Sequence, residues 1–201
     1  GSQTTAATIS VVDASSDDDF DGVANQTTNI ETTDNDSVGF TLVESSGSTT
    51  VNESGTTDTF TVVLNVQPSS NVVFSITSGD TGEATVTSAL TFTPANWNSA
   101  QTVTVTGAND TIIDGTQNST VTVSIVDASS DDAFDSVPDR TVSVATADND
   151  VAGFTIAQSS GSTSVAETGT TDTFTVVLNA QPDSNVVLAI TSGDTGEATV
   201  T

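Results

Sequence analysis

The sequence is dominated by one internal repeat with a period of 114 residues. The segment "TDTFTVVLNVQPSSNVVFSITSGDTGEATVT" at 57–87 returns as "TDTFTVVLNAQPDSNVVLAITSGDTGEATVT" at 171–201. The segment "VVDASSDDDFD" at 11–21 returns as "IVDASSDDAFD" at 125–135, after the same shift and without insertions. A period of this length is too long for one solenoid unit and has the size of a globular domain. The repeat therefore predicts domains joined in tandem.

The repeat divides the chain into three parts. Residues 1–37 are expected to be the C-terminal part of one β-sandwich repeat, residues 38–151 a complete repeat, and residues 152–201 the N-terminal part of the next. Each partial copy would lack strands of its own domain. We therefore expect the sequence to be a window on a longer tandem array, in which neighbouring repeats of the same chain are partners.

Apolar residues alternate with polar ones through the complete repeat, as in strands that bury one face. Turn-forming stretches such as "ESGTTD", "QPSSN" and "GANDTIIDG" separate the alternating segments, and none shows the apolar spacing of a helix. Disorder caused by the high net charge is the alternative, but the alternation is too regular for it. The pattern predicts an all-β fold made of tandem immunoglobulin-like sandwiches, with about seven to eight strands in each repeat.

The residues expected to face the core are Phe40, Leu42, Val51, Phe60, Val62, Leu64, Val72, Phe74, Ile76, Leu90, Phe92, Val103, Val105, Val121, Val123, Ile125, Val142 and Val144. Trp97 is the only tryptophan. A lone tryptophan after a strand either binds a ligand or covers the end of a core, and we favour the second role here.

The charge balance excludes several classes of function. The chain has 27 acidic residues and one basic residue, Arg140, and its formal net charge is −26. Nucleic-acid binding needs basic side chains to meet phosphates, and an anionic membrane surface would repel this chain. No stretch is apolar for long enough to predict insertion into a membrane. Without His, Cys or Lys the usual catalytic bases and activated nucleophiles are missing, so we predict that the protein is not an enzyme.

Most acids of the complete repeat lie in turns between strands. Because alternate turns of a sandwich lie at the same end, Glu53, Asp80, the "GANDTIIDG" loop and the "DND" triplet at 148–150 are expected to meet. Carboxylates held close together repel one another unless protonation, bulk salt or a divalent cation relieves the repulsion. Ca²⁺ is the best match, since it takes many oxygen ligands from carboxylates, amides, carbonyls and water.

Alternatives to calcium remain open for these acids. Zn²⁺ is disfavoured without His or Cys, and Mg²⁺ retains more water and prefers phosphate ligands. The acids could also be solvated loop residues that only confer solubility. The "DASSDDAFDSVPD" loop at 127–139 falls at the opposite end of the sandwich, where it is either a second ion site or a solvated acidic hairpin.

Three motifs connect the repeat with a known family: "VNESGTTDTFTVVLN" at 51–65, "LTFTPANWNSAQTVTVTGANDTIIDG" at 90–115 and "ATADNDVAGF" at 145–154. The repeat resembles a Calx-beta domain, in the version found in long tandem arrays of bacterial surface and adhesin-like proteins. The resemblance covers the complete repeat and both partial copies. The positions that it assigns to calcium are Glu53, Asp80, Asp110, Asp114, Asp148 and Asp150, with weaker contributions from Asn109, Asn149 and the carbonyl of Ile112. Their counterparts one period away are Asp34, Asp36, Glu167 and Asp194.

The resemblance implies a structural role outside the cell. We expect a calcium-stiffened repeat of a secreted or surface-anchored bacterial fibre, stalk or adhesin, in which Ca²⁺ at "DND" fixes the angle between neighbours. The short "NDTIID" and "DND" stretches replace the longer acidic runs of better-known members, which implies fewer ions or lower affinity. The alternative is a calcium-dependent binding module for a glycan or a protein partner. Self-association of chains into filaments is left open.

Overall fold

The computed structural model describes all 201 residues and is built from strands and short turns. The four helical segments are three-residue 3-10 turns at Asp13–Ser15, Asp18–Phe20, Asp127–Ser129 and Asp132–Phe134. The strands are β1 (Gln3–Ile9), β2 (Gln26–Thr32), β3 (Phe40–Glu44), β4 (Thr49–Asn52), β5 (Thr57–Leu64), β6 (Val72–Ser78), β7 (Ala84–Val86), β8 (Ala89–Phe92), β9 (Gln101–Gly107), β10 (Gln117–Ile125), β11 (Arg140–Ala147), β12 (Phe154–Gln158) and β13 (Phe174–Leu178). The prediction of an all-β fold is confirmed.

Strands β3 to β11 form a two-sheet sandwich. One sheet has the order β3-β5-β9-β7 and the other the order β4-β11-β10-β6-β8. All pairs are antiparallel except β4 with β11, which run parallel from Thr49↔Val144 to Asn52↔Ala147. The sandwich therefore joins residues that are far apart in sequence, with its second strand, β4, beside its last strand, β11.

This sandwich has nine strands, whereas the sequence pattern indicates about seven to eight. Alternation predicts a single strand for the first apolar stretch, but β3 pairs with β5 in one sheet and β4 pairs with β11 in the other. The chain changes sheets between Ser45 and Ser48. The three-residue strand β7, with only Ala84 buried, is too short to show alternation.

The core lies between the two sheets. Every residue that alternation assigns to it is buried except Leu42 and Ile125, which are partly buried against it. Phe74 stands at the centre, with edge-to-face contacts to Phe40 and Phe92 at ring-centroid distances of 5.0 and 5.7 Å. Trp97 is also partly buried against this cluster, as predicted. Phe134, from the loop between β10 and β11, is a buried member that alternation does not reveal.

The flanking parts of the chain form two separate two-stranded sheets. β1 pairs with β2, and β12 pairs with β13, in both cases antiparallel. Ile9, Ile30, Phe154 and Ile156 of these sheets are at least half exposed, whereas Phe174, Val176 and Leu178 of β13 are partly buried. No helix of sufficient length and apolarity to cross a bilayer is present in the structure.

Candidate metal centre

Four connections of the complete repeat meet at one end of the sandwich. They are the β4–β5 turn, the β6–β7 turn, the β9–β10 loop and the segment that follows β11. The parallel pairing of β4 with β11 places the first of them beside the last. The backbone N–H of Glu53 continues that pairing by donating to the carbonyl of Ala147 at 3.1 Å.

Gly107, at the end of β9, allows the β9–β10 loop to approach the same place. A Cβ atom at this position would lie 2.1 Å from the carbonyl oxygen of Asn52, so only glycine fits. Beyond it, the N–H of Ala108 donates to the carbonyl of Glu83 at 2.8 Å. The hydroxyl of Thr146 donates to that same carbonyl at 3.3 Å. The β6–β7 turn is thereby fixed against both the loop and β11.

Five carboxylates converge at this end in two groups that share Asp110. One group is Glu53, Asp110 and Asp150, and the other is Glu83, Asp110 and Asp114. Within each group one carboxylate oxygen from every residue lies within 4.8 Å of the others. We call these five residues the acidic cluster.

Two oxygens of the acidic cluster are buried without any hydrogen-bond partner, Oε2 of Glu83 and Oδ2 of Asp150. Glu53 is only 1% exposed. An unpartnered buried polar atom is costly, and a charged one more so. A cation bound among these acids would give both unpartnered oxygens a partner.

The electrostatics of the acidic cluster also indicate a cation site. Burial raises the pKa of Glu53, Glu83 and Asp150, and the charges of neighbouring acids raise it further. For Glu53 the N–H of Asn149, which donates to Oε2 at 3.2 Å, opposes that shift. The sole basic side chain lies at the opposite end of the sandwich, where Arg140 sits 5.3 Å from the centre of the Phe40 ring. No basic side chain neutralises the acidic cluster.

Asp148 and Asn149 organise the cluster but do not belong to either group. The carboxylate of Asp148 accepts hydrogen bonds from the backbone N–H groups of Asp114, Gly115 and Asp150, at 3.1, 2.9 and 2.7 Å. The bonds from Asp150 and Gly115 are the main reason that the pKa of Asp148 is lowered. The side-chain amide of Asn149 donates to Asn109 at 3.0 Å.

Asp80 lies outside both groups, whereas Glu83, from the same turn, lies within one. The exposed carboxylate of Asp80 accepts the N–H of Gly82 at 2.9 Å and so shapes the turn. Its charge still contributes to the raised pKa of Glu83. Glu83 is absent from the residues predicted to bind calcium, although the turn "TSGDTGE" contains both acids and the second one directly precedes the buried Ala84.

The counterparts of these residues in the partial copies are not clustered. Glu167 and Asp194 are exposed, and the carboxylate of Asp194 accepts only the N–H of Gly196, at 2.9 Å. Asp34 pairs with the terminal amine of Gly1 at 2.5 Å and accepts the N–H of Asp36 at 3.0 Å. Both groups of converging carboxylates lie in the complete repeat, because only there are all four connections present.

The acidic loop at the opposite end has a different role. Asp131 is 7% exposed and accepts hydrogen bonds from the N–H and hydroxyl of Ser69 and from the N–H groups of Ser70 and Ala133, at 2.5 to 3.0 Å. These bonds lower its pKa to about 2. The other acids of this loop, among them Asp127, are exposed, and no group of three carboxylates converges here. Asp131 therefore ties the loop to the β5–β6 connection.

The donors of the acidic cluster fit a hard divalent cation. All are carboxylate oxygens, two are buried without a partner, and no protein cation balances them. Hard cations such as Ca²⁺ prefer such ligands, whereas Zn²⁺ prefers nitrogen and sulfur. Because Asp110 belongs to both groups, the ligands suit one shared ion or two adjacent ions that share Asp110.

No protein-family model and no curated protein sequence matches this chain. Among solved structures, the chain is similar to SSP-19, an MSP-domain protein like family member of Caenorhabditis elegans, at 18% identity and a TM-score of 0.34, over 53% of this chain and 97% of that one. It is similar to domains 4 and 5 of the S-layer protein SbsC at 22% identity and a TM-score of 0.39, over 63% of this chain and 54% of that one. Domains 1–6 of SbsC align at 18% identity and a TM-score of 0.42, over 80% of this chain and 24% of that one. Likeness at this level carries no functional information.

Proposed function

We propose that the complete repeat is a calcium-binding structural module of an extracellular protein, built from repeats joined end to end. Its role is to carry mechanical load or to act as a spacer in a bacterial fibre, stalk or adhesin, and not to catalyse a reaction. The acidic cluster holds the ion through Glu53, Glu83, Asp110, Asp114 and Asp150. Asp148 and Asn149 orient the loops that carry these ligands.

The observation that carries the proposal is the pair of buried, unpartnered carboxylate oxygens of Glu83 and Asp150 in a cluster without a counter-charge. A bound divalent cation removes the repulsion among the five acids and satisfies both oxygens. Because the ligands come from four connections, the ion fastens together both sheets at that end. Binding to the folded form alone stabilises it by mass action.

The proposed location follows from the calcium concentration that such a site needs. The short "NDTIID" and "DND" stretches imply a lower affinity than the longer acidic runs of better-known members of the family that the repeat resembles, in the range typical of extracellular modules. Calcium at the level of extracellular fluid then keeps the site filled, so the ion acts as a permanent part of the module. An ion that is always present is suited to stiffening and not to switching.

Calorimetric titration of the 201-residue chain with Ca²⁺ tests the proposal. We expect saturable binding of one or two ions, with Mg²⁺ binding at least tenfold more weakly. At a free calcium concentration 100 times Kd, the ion should add about 2.7 kcal/mol to the stability of the complete repeat. For a domain of this size that corresponds to an increase in Tm of roughly 10–20 °C, which EDTA should abolish.

The decisive variant is Asp110→Asn, because Asp110 belongs to both groups. Asparagine keeps the oxygen that accepts the N–H of Ile112 at 2.8 Å, so the loop should retain its shape. The matched control is Asp139→Asn, which makes the same charge change at an exposed position in the loop at the opposite end. We expect D110N to lose the calcium-induced rise in Tm and D139N to retain it. Equal responses of both variants, or no binding by the unmodified chain, would refute the calcium site.

A further inference from the structure

The exposed apolar side chains of the complete repeat are concentrated at its two ends. Large exposed apolar residues between 38 and 151 are Val38, Val43, Ile112, Ile113 and Val151, and all except Val43 lie beside a neighbouring part of the chain. A loop that is only solvated would not be expected to expose two adjacent isoleucines, Ile112 and Ile113. Apolar side chains grouped in this way indicate a contact surface.

Residues 111–113, here called the docking segment, contact the part of the chain that follows the complete repeat. The backbone N–H of Gln181 donates to the carbonyl of Thr111 at 2.7 Å. Ile112 and Gln181 form an isolated parallel bridge, the sole backbone pairing between these two parts of the chain. The segment therefore begins a strand-like contact with the β-sandwich copy that comes next.

Ile113, which is 44% exposed, is the apolar residue of the docking segment that faces the following copy. It lines a cavity of about 220 Å³ together with Phe154, Leu178, Ala180 and Pro182 of the following copy. The cavity wall is almost entirely apolar, which suits a contact between two strongly acidic neighbours. Burying apolar surface there is favourable and involves no pairing of like charges.

The junction before the complete repeat provides an internal comparison. Gly1 occupies the position of Gly115, so the positions equivalent to the docking segment at that junction fall before the 201 residues of this sequence. Gln67, the counterpart of Gln181, has a backbone N–H that takes part in no hydrogen bond. Gln67 borders instead a cavity of about 300 Å³ that Gly1 and Pro68 also line. Within these 201 residues, the surface around Gln181 is therefore contacted by a docking segment, whereas the surface around Gln67 is not.

We infer that each repeat binds the next one through its docking segment. We further infer that the bound cation favours this contact by fixing the residues on both sides of the segment. Asp110 and Asp114, two residues of the acidic cluster, directly flank the segment. Asp148 accepts the N–H groups of Asp114 and Gly115 and holds its C-terminal end. Fixing both ends reduces the conformational entropy that docking must overcome. This control by calcium rests on the proposed function, whereas the docking contact itself does not.

Amide hydrogen exchange of the 201-residue chain, measured by NMR with saturating Ca²⁺, tests the inference. We expect the N–H of Gln181 to exchange at least tenfold more slowly than the N–H of Gln67, and Ile113 methyl groups to show contacts with Ala180 and Pro182. Ile113→Ser should bring Gln181 to the exchange rate of Gln67. Val43→Ser, a change at an exposed strand residue away from both junctions, should leave Gln181 protected. Protected amides in β10 show in each variant that the sandwich is folded.

The outcomes separate this inference from the calcium site. If Ile113→Ser leaves the exchange of Gln181 unchanged, or if Gln181 and Gln67 exchange equally fast in the unmodified chain, the docking segment has no such role. If the chain binds no Ca²⁺ but Gln181 is protected, the proposed function fails and the docking contact stands. If Ca²⁺ binds but EDTA does not raise the exchange rate of Gln181 by at least threefold, the control by calcium is refuted.

Discussion

The complete repeat and its partial copies have nearly the same sequence but bury their residues very differently. Phe134 is 1% exposed, whereas its counterpart Phe20 is 56% exposed in an equivalent 3-10 turn. Phe40 is 1% exposed, whereas its counterpart Phe154 is 52% exposed. The side chains are identical, so the difference comes from whether an opposing sheet is present in the chain. A core residue in this fold is defined by distant strands and not by its local sequence.

Strand formation follows the same rule. β5 has a counterpart in β13, because the neighbouring strand β12 lies within the same partial copy. The counterpart of β6, at 186–192, forms no strand, although "NVVLAITSG" closely matches "NVVFSITSG". In the complete repeat β6 pairs with β10 and β8, and the positions equivalent to both strands fall beyond the 201 residues of this sequence. An alternating segment therefore becomes a strand only when a partner can pair with it.

Hydrogen bonds that are local in sequence do not depend on the missing strands. Asp58 accepts bonds from Ser45, Thr50 and Thr59, and its counterpart Asp172 accepts the equivalent three from Ser159, Ser164 and Thr173. The pKa of both aspartates is lowered, with the serine hydroxyl as the leading cause. In contrast, Asp131 has four bonds to partners up to 62 residues away, and its counterpart Asp17 keeps only the bond from Asp19. Hydrogen bonds between residues close in sequence recur in the partial copies, whereas hydrogen bonds between distant segments do not.

Truncation of a matched phenylalanine pair should show the largest effect. Phe134→Ala is expected to cost about 3–5 kcal/mol of stability, because it leaves a cavity in a packed core. Phe20→Ala should change stability by less than about 0.5 kcal/mol, as an exposed position would. Denaturant unfolding followed by tryptophan fluorescence measures both, since Trp97 packs against the affected core. Equal losses would mean that residues 1–37 bury Phe20 in solution.

A matched aspartate pair should give the next largest effect. Asp131→Ala leaves the N–H groups of Ser69, Ser70 and Ala133 without their acceptor and should cost about 2–4 kcal/mol. Asp17→Ala removes one exposed hydrogen bond and should be close to neutral. The same unfolding assay compares them at pH 7. If the first change were also neutral, the link between the two loops would contribute nothing to stability.

The dependence of stability on pH in EDTA should show the smallest effect, with opposite signs for the acidic cluster and for Asp131. The pKa values of Glu53, Glu83 and Asp150 are raised in the folded state, so the folded form binds more protons than the unfolded form. Stability should therefore rise as pH falls from these raised values towards the ordinary range. Asp131, with its pKa lowered from 3.8 to about 2, contributes stability above pH 3.8 that is lost as pH falls towards 2.

Thermal unfolding between pH 7 and pH 2.5 in EDTA measures this profile, which should pass through a maximum in the mildly acidic range. Glu83→Gln removes one of the repelling charges and should flatten the rise between pH 7 and the maximum. Saturating Ca²⁺ should reverse that rise, since protonation then displaces the ion. A profile in EDTA that falls steadily from pH 7 would contradict the raised pKa values of the acidic cluster.

Much of this architecture could be predicted from the sequence, because alternation is a local signal. The faces of the main strands and the packing of Trp97 follow from it. Glu53, Asp110, Asp114 and Asp150 could be placed at one end by counting turns. The transfer of β4 to the other sheet could not be predicted, since it depends on pairing with β11, almost 100 residues away.

The individual roles of the acids could not be predicted either. Asp80 and Glu83 share a turn, yet backbone geometry turns one carboxylate towards its own turn and the other into the cluster. Asp148 is predicted to hold the ion but accepts three backbone N–H groups. The predictions for Asp80 and Asp148 depend on residue type and turn position, and neither property determines which way a carboxylate points.

The sequence by itself determined the all-β fold, the period of the repeat, the end at which acids accumulate and the absence of any protein cation there. These properties depend on composition and on patterns a few residues long. Only the tertiary structure decided which copy has a core, which five carboxylates converge and which buried oxygens have no partner. Those outcomes require strands and loops from distant parts of the chain to meet, because pairing, burial and repulsion depend on distance in space and not on distance along the chain.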